Sequence, residues 1–196
     1  MQRRLGPWSR HVQHWPATDG RTINVQRDYI ATGRLPANHR LRRGEIGCYD
    51  SHVRIWRHIV EHKIAKTLIL EDDAELVCSA RHKSAIETAM AEANRLVPGW
   101  QALYVSHRCL PNSKMCLENK VAPGSTMFWP RMCMGLPGYI LTLEGARKCL
   151  QHCVPFREAA DVYHYRLQHE QKLVAVACSP AVFWVAPVVS DTTHIK

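Results

Sequence analysis

Apolar and polar positions follow two periods along this chain. From 44 to about 62, Tyr49, Val53, Trp56, Ile59 and Val60 recur at three- and four-residue spacing, which predicts an amphipathic helix. His52 falls on the same stripe, while Ser51 lies well round from it. Residues 67–70, Thr-Leu-Ile-Leu, form a short β-branched and apolar run of the kind that makes a buried strand, and it stops at three consecutive carboxylates, Glu71, Asp72 and Asp73. A second helix is predicted from about 79 to 97, with Ile86, Ala89, Met90, Ala93 and Val97 facing inward and Pro98-Gly99 ending it. Stretches 101–106, 138–142 and 173–179 read as further core strands. Residues 143–152 read as a helix that Thr142 can cap, and 160–171 as another. Helices alternating with short apolar strands predict an α/β sandwich around a mainly parallel sheet.

Two regions break the alternation. The first 40 residues carry Gly6-Pro7, Trp15-Pro16, Asp19-Gly20 and Leu35-Pro36, which predict loop and short helix. Stretch 107–137 reads as a long loop, a candidate substrate lid. At 196 residues the chain fits one domain, and 46% hydrophobic residues make it too apolar for disorder. No apolar run approaches the ~20 residues that span a bilayer. The basic start lacks the apolar core of a secretory signal, which favours a cytoplasmic location and leaves peripheral membrane contact open.

Charge is uneven. Residues 1 to 43 hold nine Arg and two Asp, so this end contributes +7 of the net +9. Such a segment can meet an anionic partner or be a solvated face. No aromatic-interleaved repeat accompanies the arginines, so a nucleic-acid partner is not expected. The eight cysteines are scattered through apolar context, which predicts buried thiols rather than a disulfide framework. Cys149, His152 and Cys153 are near neighbours without a second close pair for zinc. Cys109 and Cys116 flank a loop and would pair only in an oxidising compartment.

The acidic triplet is the candidate for chemistry. Unpaired carboxylates cannot sit deep in a core. They either cap the next helix as a solvated turn or face a cation or cleft at the carboxyl end of the strand, where α/β sheets bind ligands.

Three stretches, GEIGCYDSH (44–52), LILEDDAEL (68–76) and GLPGYILTLEGARKCL (135–150), together resemble glycosyltransferase family 25, which includes lipooligosaccharide and collagen galactosyltransferases. Weaker matches are the Trp15 to Gly20 turn and Asp161-x-Tyr163. The resemblance implies a GT-A-like nucleotide-sugar-binding fold and a divalent cation, Mn2+ or Mg2+. It also implies transfer of a hexose, galactose foremost, from a UDP-sugar to a glycan or hydroxylated acceptor. Family members open with a strand close to Ile-Asn-Leu-Asp-Arg that falls just before Met1, so a sheet short of that strand is expected. A non-catalytic sugar- or nucleotide-binding relic is the alternative function.

By the same resemblance Glu71, Asp72 and Asp73 are the metal and nucleotide motif, Asp72 counted with Glu71 among the nucleotide-binding residues. In an extended chain Glu71 and Asp73 project to one side, which makes Asp73 the expected direct ligand, with Glu71 at the metal or the ribose and Asp72 turned to the opposite side. Ser51 and His52 are carried over as residues that bind or shape the nucleotide pocket. Asp161 is the candidate catalytic base if transfer inverts, with a helix-starting acid as its plain alternative. Glu144 is a poorer candidate. His164, His169 or His194 could complete the coordination or be surface histidines. Gln101 stands where the family commonly has an acid.

Overall fold

The computed structural model describes residues 12–76, 82–106, 117–130 and 135–185. Its longest helix grows from the longest apolar stripe: α1 spans Arg43–Glu61, and Glu45 turns back to accept the N–H of Arg42 at 2.7 Å, satisfying a donor that the first turn leaves open. After it come β1 (Lys66–Leu70), β2 (Ala74–Leu76), α2 (His82–Leu96), β3 (Ala102–Tyr104), β4 (Leu117–Lys120) and β5 (Met127–Pro130). The rest is β6 (Gly138–Thr142), α3 (Leu143–Gln151), α4 (Ala160–His169), β7 (Ala175–Cys178) and β8 (Phe183–Val185). Thr142 does cap α3, its hydroxyl accepting the N–H of Gly145 at 3.0 Å. Upstream, the described part of the irregular segment includes a short π-helical turn, Gln26–Ile30.

Six strands form one sheet in the order β1-β6-β3-β7-β5-β4, and β2 pairs with β8 in a separate ribbon. The α/β class stands, but the sheet is mixed rather than mainly parallel. Of its described pairings only β3 with β7 is parallel. The reason is visible between β3 and β6. Parallel neighbours need a crossover, usually a helix, whereas antiparallel ones do not, and stretch 107–137 carries no helical period. Part of that stretch is itself sheet: the expected long loop contains the antiparallel pair β4 and β5. Residues 107–116 and 131–134 lie outside the described residues.

β1 and β3 both run antiparallel to β6, and β7 runs with β3. Their carboxyl ends therefore share one edge of the sheet. Strand alternation sorts the core into two layers. Ile69, Ala102, Tyr104, Tyr139, Leu141, Ala175 and Ala177 face Tyr49, Val53, Trp56 and Ile59 of α1, with α3 and α4 beside it. Leu103, Val105, Ile140, Val176 and Cys178 face Ile86, Ala89, Ala93 and Val97 of α2. The result is a sheet between helices, with α1 laid along its acidic end.

The turn at 15–20 is fastened to α1 at close range. A Cβ on Gly47 would stand 2.5 Å from the carbonyl oxygen of Thr18 and 3.0 Å from the amide nitrogen of Gly20. Gly47→Ala should gain about 1 kcal/mol of helix propensity and lose about 3 kcal/mol to overpacking, because both obstacles are backbone. A fall in Tm of about 4–8 °C is expected by calorimetry; an unchanged or raised Tm would refute the close packing. No helix among the described residues is long and apolar enough to cross a membrane.

Candidate active site

β1 delivers the carboxylates to the shared edge, and local hydrogen bonds fix how they leave it. The N–H of Glu71 donates to the carbonyl of Pro137 at 3.1 Å, and its own carbonyl accepts the N–H of Ala74 at 3.1 Å, which folds the chain from β1 into β2. Asp72 and Asp73 form the turn between them, so strand alternation does not govern their directions. Burial separates them instead: Asp72 is exposed and Asp73 is 8% exposed.

Glu71 points toward α1. Its Oε1 lies 3.4 Å from His52 Nε2 and 3.8 Å from the thiol of Cys48. Cys48 and His52 sit one helical turn apart, so both reach the same side of α1. His52 is buried, and its Nδ1 lies 2.8 Å from the hydroxyl of Tyr139 on β6. The same hydroxyl oxygen accepts the indole N–H of Trp56 at 3.0 Å. The imidazole is thereby held between a phenol in the core and a carboxylate at the edge. Burial, then the facing carboxylates of Glu71, Asp161 and Asp72, push the Cys48 thiol well above its usual range.

Ser51 joins two parts of the scaffold beside the site. Its hydroxyl donates to the carbonyl of Gly47 at 2.7 Å and accepts the N–H of Thr18 at 2.9 Å, tying the 15–20 turn to α1. Beside it, Asp50 is buried and takes an ion pair from Arg34 and a 2.6 Å hydrogen bond from the Thr18 hydroxyl. Asp161 opens α4: Oδ2 accepts the N–H of Gly135 at 2.8 Å and Oδ1 that of Val162 at 2.9 Å. Both oxygens hold backbone, and Asp161 remains close enough to Cys48 to act on its charge.

Of the histidines expected to complete a coordination shell, the two among the described residues, His164 and His169, do not join the carboxylates. His164 is a core residue, not a surface one. Its Nδ1 lies 3.0 Å from the Tyr104 hydroxyl and its Nε2 3.6 Å from Cys149 Sγ, so both ring nitrogens are engaged. His169 is exposed at the end of α4 against Tyr165, and His194 lies outside the described residues. Glu144 is exposed, 3.4 Å from Arg147. Gln101 precedes β3 and so lies at the opposite end of that strand from the acids, where its side-chain oxygen accepts the N–H of Val174 at 3.0 Å. Cys149, Cys153 and Cys178 are buried thiols, while Cys109 and Cys116 fall outside the described residues.

Cys48, Tyr139 and Asp50 are the site and scaffold residues that sequence reasoning passed over. The i,i+4 spacing of Cys48 and His52 was a usable signal. The cross-chain contacts of Tyr139 and Asp50 had none. For a hard cation, Asp72 and Asp73 supply carboxylate oxygens on consecutive residues of one turn, a donor type that suits Mn2+ or Mg2+.

The profile of glycosyltransferase family 25 (LPS biosynthesis protein) matches residues 13–164, which include the 15–20 turn, α1, the acidic turn, β3, β6 and Asp161, and stop short of β7. A glycosyltransferase 25 family member of Drosophila pseudoobscura pseudoobscura is 31% identical over 205 aligned positions, covering 94% of this chain and 32% of the relative. Human procollagen galactosyltransferase 2 is 25% identical over 143, covering 67% of this chain and 22% of that protein. Mouse inactive glycosyltransferase 25 family member 3 is 28% identical over 146, covering 68% and 23%. The chain thus spans between a fifth and a third of the length of these relatives. With the family profile matching most of its length, and the matched words meeting at one sheet edge, the chain belongs to glycosyltransferase family 25.

Proposed function

We propose that this chain supplies the donor-binding part of a metal-dependent hexosyltransferase, taking galactose from UDP-galactose to a glycan or a hydroxylated acceptor. The observation that carries the reading is the acidic turn at the carboxyl end of β1, inside the family match. Asp73 is assigned as the direct ligand of the divalent ion, Asp72 as the exposed carboxylate toward the nucleotide, and Glu71 as a ribose contact steadied by His52. The ion would neutralise the negative charge that grows on the departing diphosphate. Ser106, at the carboxyl end of β3, has a buried hydroxyl without a hydrogen-bond partner among the described residues, a polar atom available to a ligand at this edge. In an inverting transfer Asp161 takes the proton of the acceptor hydroxyl.

A second reading is favoured by Asp161, whose two oxygens are already committed to backbone amides, and by a relative named inactive. It holds that the chain binds UDP without turnover. UDP release from UDP-galactose, measured with Mn2+ and again after chelation, separates the two. Release that stops in chelator is expected. Calorimetric UDP binding without release would leave the second reading, and neither binding nor release would reject both.

A further inference from the structure

Beside the oxygen donors of the acidic turn, a second and chemically different set of ligands converges. We infer that Cys48, His52 and Glu71 form a site for a thiophilic divalent ion of the zinc class. This site shares Glu71 with the ribose contact proposed above, but it rests on donor geometry and its test reads the metal rather than sugar transfer.

Three donor atoms, a sulfur, an imidazole nitrogen and a carboxylate oxygen, lie within 4.8 Å of one another, and this is the group of metal-ligating side chains that converges among the described residues. A tetrahedral ion with bonds of about 2.0–2.3 Å sets neighbouring ligand atoms about 3.5 Å apart. Glu71 Oε1 already stands 3.4 Å from His52 Nε2 and 3.8 Å from Cys48 Sγ. The remaining pair, Cys48 Sγ and His52 Nε2, lies within 4.8 Å.

Donor type selects the ion. Magnesium and calcium ask for oxygen throughout, whereas thiolate with imidazole favours zinc, cobalt or copper. Three protein ligands leave the fourth position open to solvent or a small ligand, as in zinc centres that bind something. Access is available because Cys48 and Glu71 are half-buried. His52 is held from behind: Tyr139 Oη lies 2.8 Å from its Nδ1, the position of the outer hydrogen bond that orients ligating histidines. Asp72 and Asp161 lie near enough to act on the Cys48 thiol and add negative charge around the cluster.

The intact chain is titrated with Co2+, whose thiolate bond gives a charge-transfer absorption and whose tetrahedral field gives visible bands. Wild type should show both. Cys48→Ser should lose the charge-transfer band, His52→Gln should weaken cobalt binding at least 10-fold, and Tyr139→Phe should weaken it about 10-fold. Replacing Cys78, Cys109, Cys116 and Cys133 together by Ser should leave the band in place. X-ray absorption of the zinc-loaded wild type needs no variant and should show one sulfur in the coordination shell. A band that survives Cys48→Ser, no band in wild type, or a shell with two or more sulfurs or with none overturns the assignment.

Discussion

Asp73→Asn is expected to lower Mn2+-dependent UDP release by about 100-fold or more, the scale of losing one preorganised charge contact in a transition state. The same variant should fold as well as wild type. Asp73 is 8% exposed, and an isosteric amide removes a buried charge without changing volume. The two readouts together separate a working carboxylate from a structural one: a structural role lowers Tm, whereas a role in the reaction lowers kcat/KM at constant Tm. Asp72→Asn, at an exposed position of the same turn, provides the graded comparison. Full turnover by a folded Asp73→Asn protein would remove Asp73 from the site.

Acid should destabilise the fold through His164 more than through any surface histidine. Complete burial, with a smaller contribution from nearby His52, pulls its pKa from an ordinary 6.5 down to about 3. In the unfolded chain the ring takes up a proton near pH 6.5; in the fold it stays neutral until about pH 3. The unfolded state therefore binds the extra proton between those values. Stability is full above pH 6.5 and falls as pH is lowered through the window, by about 1.4 kcal/mol per pH unit. Urea midpoints measured across that range should show the slope, and His164→Asn should flatten it even if the variant starts less stable. Equal slopes in the two proteins would show that His164 does not carry the effect.

The parts of the fold set by local pattern were legible in the sequence. The stripe from Tyr49 to Ile59 became α1, the run before Glu71 became β1, and Thr142 capped α3. Periodicity reports which face of an element is buried, and these faces are buried. It does not report which way a neighbouring strand runs, so the antiparallel place of β6 between β1 and β3 had no signature. The short strands β4 and β5 were hidden for a related reason: four residues each, carrying charge in β4 and Pro in β5, are too few to show a period. At the site, the carboxylates were visible as a word and their setting was not. Tyr139 is 87 residues from His52, and no local rule pairs a strand phenol with a helix imidazole. Asp161 was visible through its motif, whereas its hydrogen bonds to the amides of Gly135 and Val162 had no signature in the sequence.

The strand order also dictates when this edge can exist during synthesis. β1 has β6 as its neighbour and β3 has β7, pairings that close loops of about 70 residues, and β2 waits still longer for β8. Such high contact order slows folding, because loop entropy is lost before any pairing is gained. A nascent chain that has emerged as far as α2 holds the three acids just past the end of a strand with no partner. The carboxyl edge closes only when the last strands arrive, so a ribosome-bound chain halted before β6 should expose Trp56 and Tyr49 to chaperones while α1 is already helical.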